Sequence, residues 1–143
     1  MPLLREVPRD VLKRRPEPDR WSAHEHACHL AEVQPMFFER LELMLREDHP
    51  TIRPYLPERE HDADALLRVD LEEALGRYVD DRARLVERLE RLSEADWART
   101  AAHPEYSRYS VFILFRHAAM HDMLHAYRIE ELLLKPDWSA AGD

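Results

Sequence analysis

A chain of 143 residues fits one domain, 1–143, and is long enough to bury a real core. It is 45% hydrophobic and 35% charged with only two glycines, a composition that excludes a disordered chain and favours helices. A net charge of −8 argues against a nucleic-acid surface, and the single cysteine, Cys28, excludes an internal disulfide. A reducing cytoplasm is the expected location: no signal peptide is read, and no apolar run is long enough to span a bilayer.

The first twenty residues carry little signal. Val7 to Arg15 suits a short helix limited by Pro2, Pro8, Pro16 and Pro18. Ser22 then reads as an N-cap, with Glu25 placed to close a capping box. The helix it opens extends to about Glu47, with Ala27, Leu30, Gln34, Phe37, Leu41 and Met44 at helical spacing. Pro35 inside it removes one backbone hydrogen bond, so a bend is expected there. Asp48 to Asp64 holds Pro50, Pro54 and Pro57 and reads as a loop, long enough to suggest a functional role.

Asp70 caps the next helix. Leu71, Leu75, Tyr78, Arg82, Leu85, Leu89 and Leu92 follow a bundle seam with one charged member at its centre. Ser93 and Glu94 end it, a short turn follows at Ala95-Asp96-Trp97, and the linker through His103-Pro104-Glu105-Tyr106 is irregular. The last helix is expected from Ser110 to Lys135, stopped by Pro136. Its second face carries Phe112, Met120, Met123 and Tyr127 beside Arg116 and Glu130, so this helix is either central in its bundle or shared with a partner subunit. No strand is supported anywhere. The fold class is all-α.

Nine histidines is a high count, and several fall in two clusters. On the last helix, steps of roughly 100° per residue align His121 and His125 with Leu114 and Leu132. Two imidazoles one turn apart are well placed to bind one divalent metal, and neutral histidine is a common ligand. A third ligand would come from the helix that opens at Ser22. There His29 lies near the stripe of Leu30 and Phe37, His26 near the inward side as the reserve candidate, and His24 points elsewhere. Three nitrogens leave a position open for water or substrate, the arrangement of catalytic zinc sites. The bland alternatives are also chemical: His117 at the stripe's edge reads as structural, and His24 and His26 as partly exposed. Asp122 is either a hydrogen-bond partner of a ligand imidazole or a plain surface residue. Arg82 is a carboxylate partner, an anion anchor, or a stem that packs while its guanidinium reaches water. Cys28 reads as a small buried side chain.

Trp21-Ser22-x-x-Glu25-x-x-x-His29-Leu30, His121-Asp122-x-x-His125, and Trp97-x-Arg99 with His103-Pro104 between them resemble the DinB/YfiT-like superfamily in order and separation. The resemblance spans about Pro16 to Leu134. It implies an up-down-type four-helix bundle, commonly dimeric, holding a divalent metal (Zn first, Ni or Fe as alternatives) through His29, His121 and His125. Members usually begin with a full-length helix. Here only Leu3 to Arg15 stands in its place, broken by Pro8, so a shortened first helix is expected, with a truncated start or a covering partner subunit as the alternatives. Branches resembling this chain include thiol-dependent S-transferases and a mycothiol-dependent isomerase. The expected function is therefore metal-dependent transfer of a low-molecular-weight thiol to an electrophile. The alternatives are a hydrolase on the same site, or a non-catalytic dimeric metal-binding module of a stress response. The expected partners are those small molecules and a second copy of the chain, with no nucleic acid and no membrane.

Overall fold

Helix-opening residues set the frame. The computed structural model describes residues 2–55 and 63–134. In chain order these form α1 (Leu3–Glu6), α2 (Arg9–Leu12), α3 (Ala23–Glu32), α4 (Gln34–Arg46), a 3-10 turn at Leu66–Arg68, α5 (Leu71–Glu90), α6 (Glu94–Ala98) and α7 (Val111–Leu133). Ser22 caps α3 through the capping box that its spacing to Glu25 predicts: its hydroxyl accepts from the Glu25 amide at 3.2 Å, and Glu25 accepts from the Ser22 amide at 2.8 Å. Asp70 accepts from the Glu73 amide at 3.0 Å, and Ser110 from that of Ile113 at 3.3 Å. Ser93 and Asp96 form a second capping box, which turns the short segment after α5 into a true helical piece, α6.

The long second helix breaks where proline requires it. Val33 separates α3 from α4, and Pro35 sits in the first turn of α4, where a missing amide costs least. The Gln34 side chain turns back and donates to the Leu30 carbonyl at 2.9 Å, so the break keeps that acceptor occupied. At the far end Arg99 donates to the carbonyls of Met44 (2.5 Å) and Glu47 (2.7 Å), closing the C-terminus of α4 with a cation.

The bundle is built around α3, which packs against both α5 and α7, while α4 continues between the same two helices. Its main core gathers Phe37, Leu41 and Met44 of α4, Leu85 of α5 and Val111, Leu114 and Ala118 of α7. All the predicted seam positions of α5 are buried or half-buried. A second core joins Leu4 and Leu12 of the short N-terminal helices to Ala23, Ala27, Ile129 and Leu132. So α1 and α2, parted at Pro8, do stand in for a first bundle helix, in the shortened form expected.

Among the described residues there is no strand, only isolated bridges of Thr51 with Ala102 and Thr100 with Ser110. The first ties the segment after α4 to the linker before α7, through Ile52 N–H to the Ala102 carbonyl at 2.8 Å, and the second closes that linker on itself, through Val111 N–H to the Arg99 carbonyl at 3.0 Å. The described parts of the expected 48–64 loop are thus anchored at the near end; its stretch 56–62, with Pro57, lies outside the described residues, as do Lys135 and Pro136. No helix of the described residues is long and apolar enough to cross a membrane.

Candidate metal centre

Helix geometry delivers three imidazoles to one point. The ligand nitrogens of His29, His121 and His125 all lie within 4.8 Å of one another. His29 comes from α3, and the other two project one turn apart from α7. Nε2 of His29 is 3.2 Å from Nε2 of His121. Two nitrogens each about 2.0–2.1 Å from one ion at a tetrahedral angle would be about 3.3 Å apart, so this pair already has the spacing of a shared ion. The ring centroids of His125 stand 4.8 Å from those of His29 and 4.4 Å from those of His121. Of the two candidate third ligands the structure therefore brings His29 to the cluster.

The outward nitrogens test whether a cation fits. His121 Nδ1 faces Asp122 Oδ1 at 3.6 Å, and His29 Nδ1 faces Glu32 Oε2 at 3.8 Å. Those distances are too long for hydrogen bonds, but the carboxylate charge favours a proton on each Nδ1, which leaves both Nε2 lone pairs for a cation between them. The donor set fits: three neutral nitrogens suit a borderline divalent ion and leave a fourth position free.

His26 has a different part from the one its sequence position suggests. Its Nδ1 lies 2.8 Å from Nδ1 of His125, so one of the two rings donates a proton to the other. Burial holds both rings neutral: the pKa of His125 falls to about 3, helped by the neighbouring histidines, and that of His26 to about 4. His24, expected to be partly exposed, is in fact 3% exposed. The segment carrying the 3-10 turn covers it, and its Nε2 meets the Leu66 carbonyl at 3.1 Å. Trp21 closes the cluster, its ring centroid 4.9 Å from that of His29 and 5.5 Å from that of His26.

Asp122 is no surface residue. Its Oδ2 accepts from Tyr78 Oη at 3.1 Å and from Arg82 Nη2, while Arg82 Nε donates to Gln34 at 3.1 Å. Burial pushes the Asp122 carboxyl up, but His121, Arg82 and Tyr78 together hold it below its ordinary value. Of the three readings open for Arg82, the carboxylate partner is the one realised. Glu25 has no place at the cluster; it is fully buried against Arg15 and its own cap. His117 lies beside the rings of Tyr106 and Tyr109, at 4.9 and 6.1 Å, in a structural setting.

The sequence profile of the DinB superfamily matches residues 1–129. The chain belongs to the DinB superfamily. Among solved structures it is similar to YfiT from Bacillus subtilis, described as a probable metal-dependent hydrolase with an unusual four-helix bundle topology. That likeness has a TM-score of 0.74 at 18% identity, covering 91% of this chain and 77% of the other, and it shows the four-helix bundle. A search of curated proteins gives no match.

Two further side chains stand at the cluster: Trp21, to which the sequence assigned no role there, and His26, the reserve ligand candidate. Trp21 carried only the signal of standing before a helix cap. His26 carried the signal of being three residues before His29, hence on a neighbouring face of the same helix.

An open cleft of about 480 Å³ lies behind His29, lined by Glu32, Pro35, Met36, Arg40, Arg53 and Tyr55 among others and by none of the three histidines. Glu32 and Tyr55 connect the two: the first is the carboxylate behind His29, and the ring of the second is 6.1 Å from the His29 ring.

Proposed function

We propose that this DinB-superfamily protein is a divalent-metal-dependent enzyme that transfers a low-molecular-weight thiol to an electrophilic substrate. The observation that carries the metal part is the convergence of His29, His121 and His125, with Asp122 3.6 Å from His121, Glu32 3.8 Å from His29 and His26 against His125. Zinc is the first choice, with nickel and iron as alternatives, because three neutral imidazoles suit all of them. Bound there, the ion would supply Lewis acidity and lower the pKa of a thiol or water in the fourth position. The protein's own share is orientation. Asp122, held by Arg82 and Tyr78, fixes the tautomer of His121; His26 does the same for His125; and Trp21 keeps bulk water from their buried side.

The thiol reading draws support from the cleft. Its lining joins Arg40, Arg53, Glu32 and Glu39 to Pro35, Met36, Leu43 and Ile52, which suits a conjugate with both charged and apolar parts. Hydrolysis is the second reading, favoured by what is said of YfiT, and it would use the same residues with water as nucleophile.

The test begins with elemental analysis of protein purified without a histidine tag, beside a His125→Ala variant. About one equivalent of metal, lost in the variant, supports the site. Loaded protein is then offered a thiol panel with an electrophile, and esters and amides without thiol. Electrophile consumption that stays at the background rate with every thiol refutes the transferase reading, and ester turnover without thiol replaces it with the hydrolase.

A further inference from the structure

A second polar recess opens against His26, between the chain that enters α3 and the last turns of α7. Its volume is about 280 Å³, and none of the three clustered histidines lines it. Drug-sized ligands occupy pockets of about 300–1,000 Å³, so this one fits a molecule the size of a single amino acid. Trp21 and Leu132 give it an apolar wall, and Arg20, Arg128, Asp19 and Glu131 its charges. These charges are not spent on one another. Arg128 donates to Glu131 at 2.7 Å through one nitrogen of its guanidinium, and the Arg20 guanidinium meets Glu17 only at 3.5 Å. Asp19 has no hydrogen bond or ion pair among the described residues.

The His26 ring adds a donor. Its Nδ1 is turned to Nδ1 of His125 at 2.8 Å, which leaves Nε2 of His26 for a ligand in the recess and Nε2 of His125 for an ion. A neutral imidazole binds a cation through the nitrogen that carries no proton. His125 then holds its proton on Nδ1 and donates it to Nδ1 of His26, so His26 holds its own proton on Nε2. The recess thus presents an imidazole N–H and two guanidiniums, all donors, beside one uncommitted carboxylate. The donors suit a carboxylate, and Asp19 suits an ammonium. We propose that this recess binds an α-amino acid with an apolar side chain. The ligand's carboxylate accepts from Arg20, Arg128 and His26 Nε2, its ammonium donates to Asp19, and its side chain lies against Trp21 and Leu132. Bound there, the carboxylate fixes the His26 proton on Nε2 and so keeps the lone pair of His125 on the nitrogen that faces the cluster. The direction of the His26–His125 bond rests on the metal reading above; the charges of the recess do not.

Isothermal titration of the metal-free, full-length protein with L-leucine, L-methionine and L-phenylalanine tests the recess. At least one should bind with a dissociation constant below about 1 mM. The matching acid without its ammonium, and the matching amide without its carboxylate, should each bind at least about tenfold more weakly. Arg128→Gln and Asp19→Asn should each weaken binding by at least about tenfold, with helix content unchanged by circular dichroism. In the complex, nitrogen–proton correlation NMR of the imidazoles should place the proton of His26 on Nε2 and that of His125 on Nδ1. No binding of any probe at up to about 10 mM overturns the proposal. So does binding that both substitutions leave unchanged, or binding that the acid without an ammonium reproduces, which would make the recess a simple anion site. The reverse pair of tautomers in the complex overturns the placement of the carboxylate at His26. Zinc has no part in these readings, so amino-acid binding by protein that takes up no zinc would refute the metal centre and support the recess.

Discussion

Replacing Arg15 with alanine should strip the start of α3 of its charge partner and expose a pH-dependent penalty. Glu25 is fully buried, and Arg15 grips it with Nε at 3.1 and 3.0 Å from the two oxygens and with Nη2 as well. Arg15 also reaches Asp64 at 3.0 Å and the Ala63 carbonyl at 2.7 Å, so it joins α3 to the segment before the 3-10 turn. Burial alone would raise the Glu25 carboxyl, but Arg15 and Ser22 together hold it below its ordinary value of 4.5. Removing one partner of a buried ion pair costs roughly 3–5 kcal/mol; Arg15 retains 20% exposure, which lets water reach the site and favours about 3 kcal/mol. Against a total of about 5–15 kcal/mol that is a large loss. Arg15→Lys keeps the charge but loses the two-pronged grip, so about 1 kcal/mol is expected.

The pH dependence has a definite sign. In the wild type the folded pKa lies below the unfolded one, so the pair's stabilisation is fully present above about pH 4.5 and is lost as pH falls through the folded value. In Arg15→Ala, burial is opposed only by Ser22, and the carboxyl rises. Its penalty is then present at neutral pH and fades as the carboxyl takes up a proton. The gap between the two proteins should therefore be widest near pH 7 and narrow markedly by about pH 4. Urea unfolding at both pH values measures it. A gap that is constant across that range, or no larger for alanine than for lysine, would refute the assignment of Glu25 as a buried anion held by Arg15.

Three further outcomes are expected. Zinc at about 100 times its dissociation constant should stabilise the wild type by about 2.7 kcal/mol, a rise of several degrees in Tm, and His29→Ala or His121→Ala should abolish the rise; an unchanged rise in both would remove the cluster as the binding site. The Cys28 thiol, buried and pushed up to about 12, should resist a disulfide reagent at pH 8 in the folded protein and react at once in urea; rapid reaction without urea would contradict its burial. Leu114→Ala, at a position with no exposure in the core beneath the cluster, should cost about 2–5 kcal/mol by equilibrium unfolding, and a loss under 1 kcal/mol would mean that this core collapses around the gap.

Local chemistry made much of this legible. Ser22, Asp70 and Ser110 satisfy amides a few residues away, so their caps can be read without knowing the fold. The seam of α5 follows from its period. His121 and His125 are neighbours for the same reason, since a helix fixes their relation. What crosses between helices is another matter. The choice of His29 over His26 depends on how α3 rolls against α7, and both residues lie on its inward half. His26 still faces the cluster, one layer behind. His24 points away from the cluster, yet away is not outward, because the chain at Leu66–Val69 returns to cover it. The partner of Arg82 is likewise invisible in a periodicity, which marks a position as inward without saying what stands opposite.

That partner explains why a seam of leucines has an arginine at its middle. A packed apolar residue at 82 would seal the seam as well or better, because ionic groups in an interior gain little over hydrophobic ones once desolvation is counted. Arg82 instead links α5 to two other elements: Gln34 at the break between α3 and α4, and Asp122 on α7, whose other oxygen lies 3.6 Å from His121 Nδ1. Stability and metal affinity should therefore separate. Arg82→Met combined with Asp122→Leu removes both charges together, so its unfolding free energy should stay within about 1 kcal/mol of the wild type. Asp122→Asn keeps the shape but weakens the hold on the His121 tautomer, and both variants should lose roughly 10–100-fold in metal affinity. Isothermal titration beside urea unfolding reads the two quantities independently. Affinity that survives in the double variant would mean that His121 is oriented by the helix alone, and Arg82 would then have no role that a leucine could not fill.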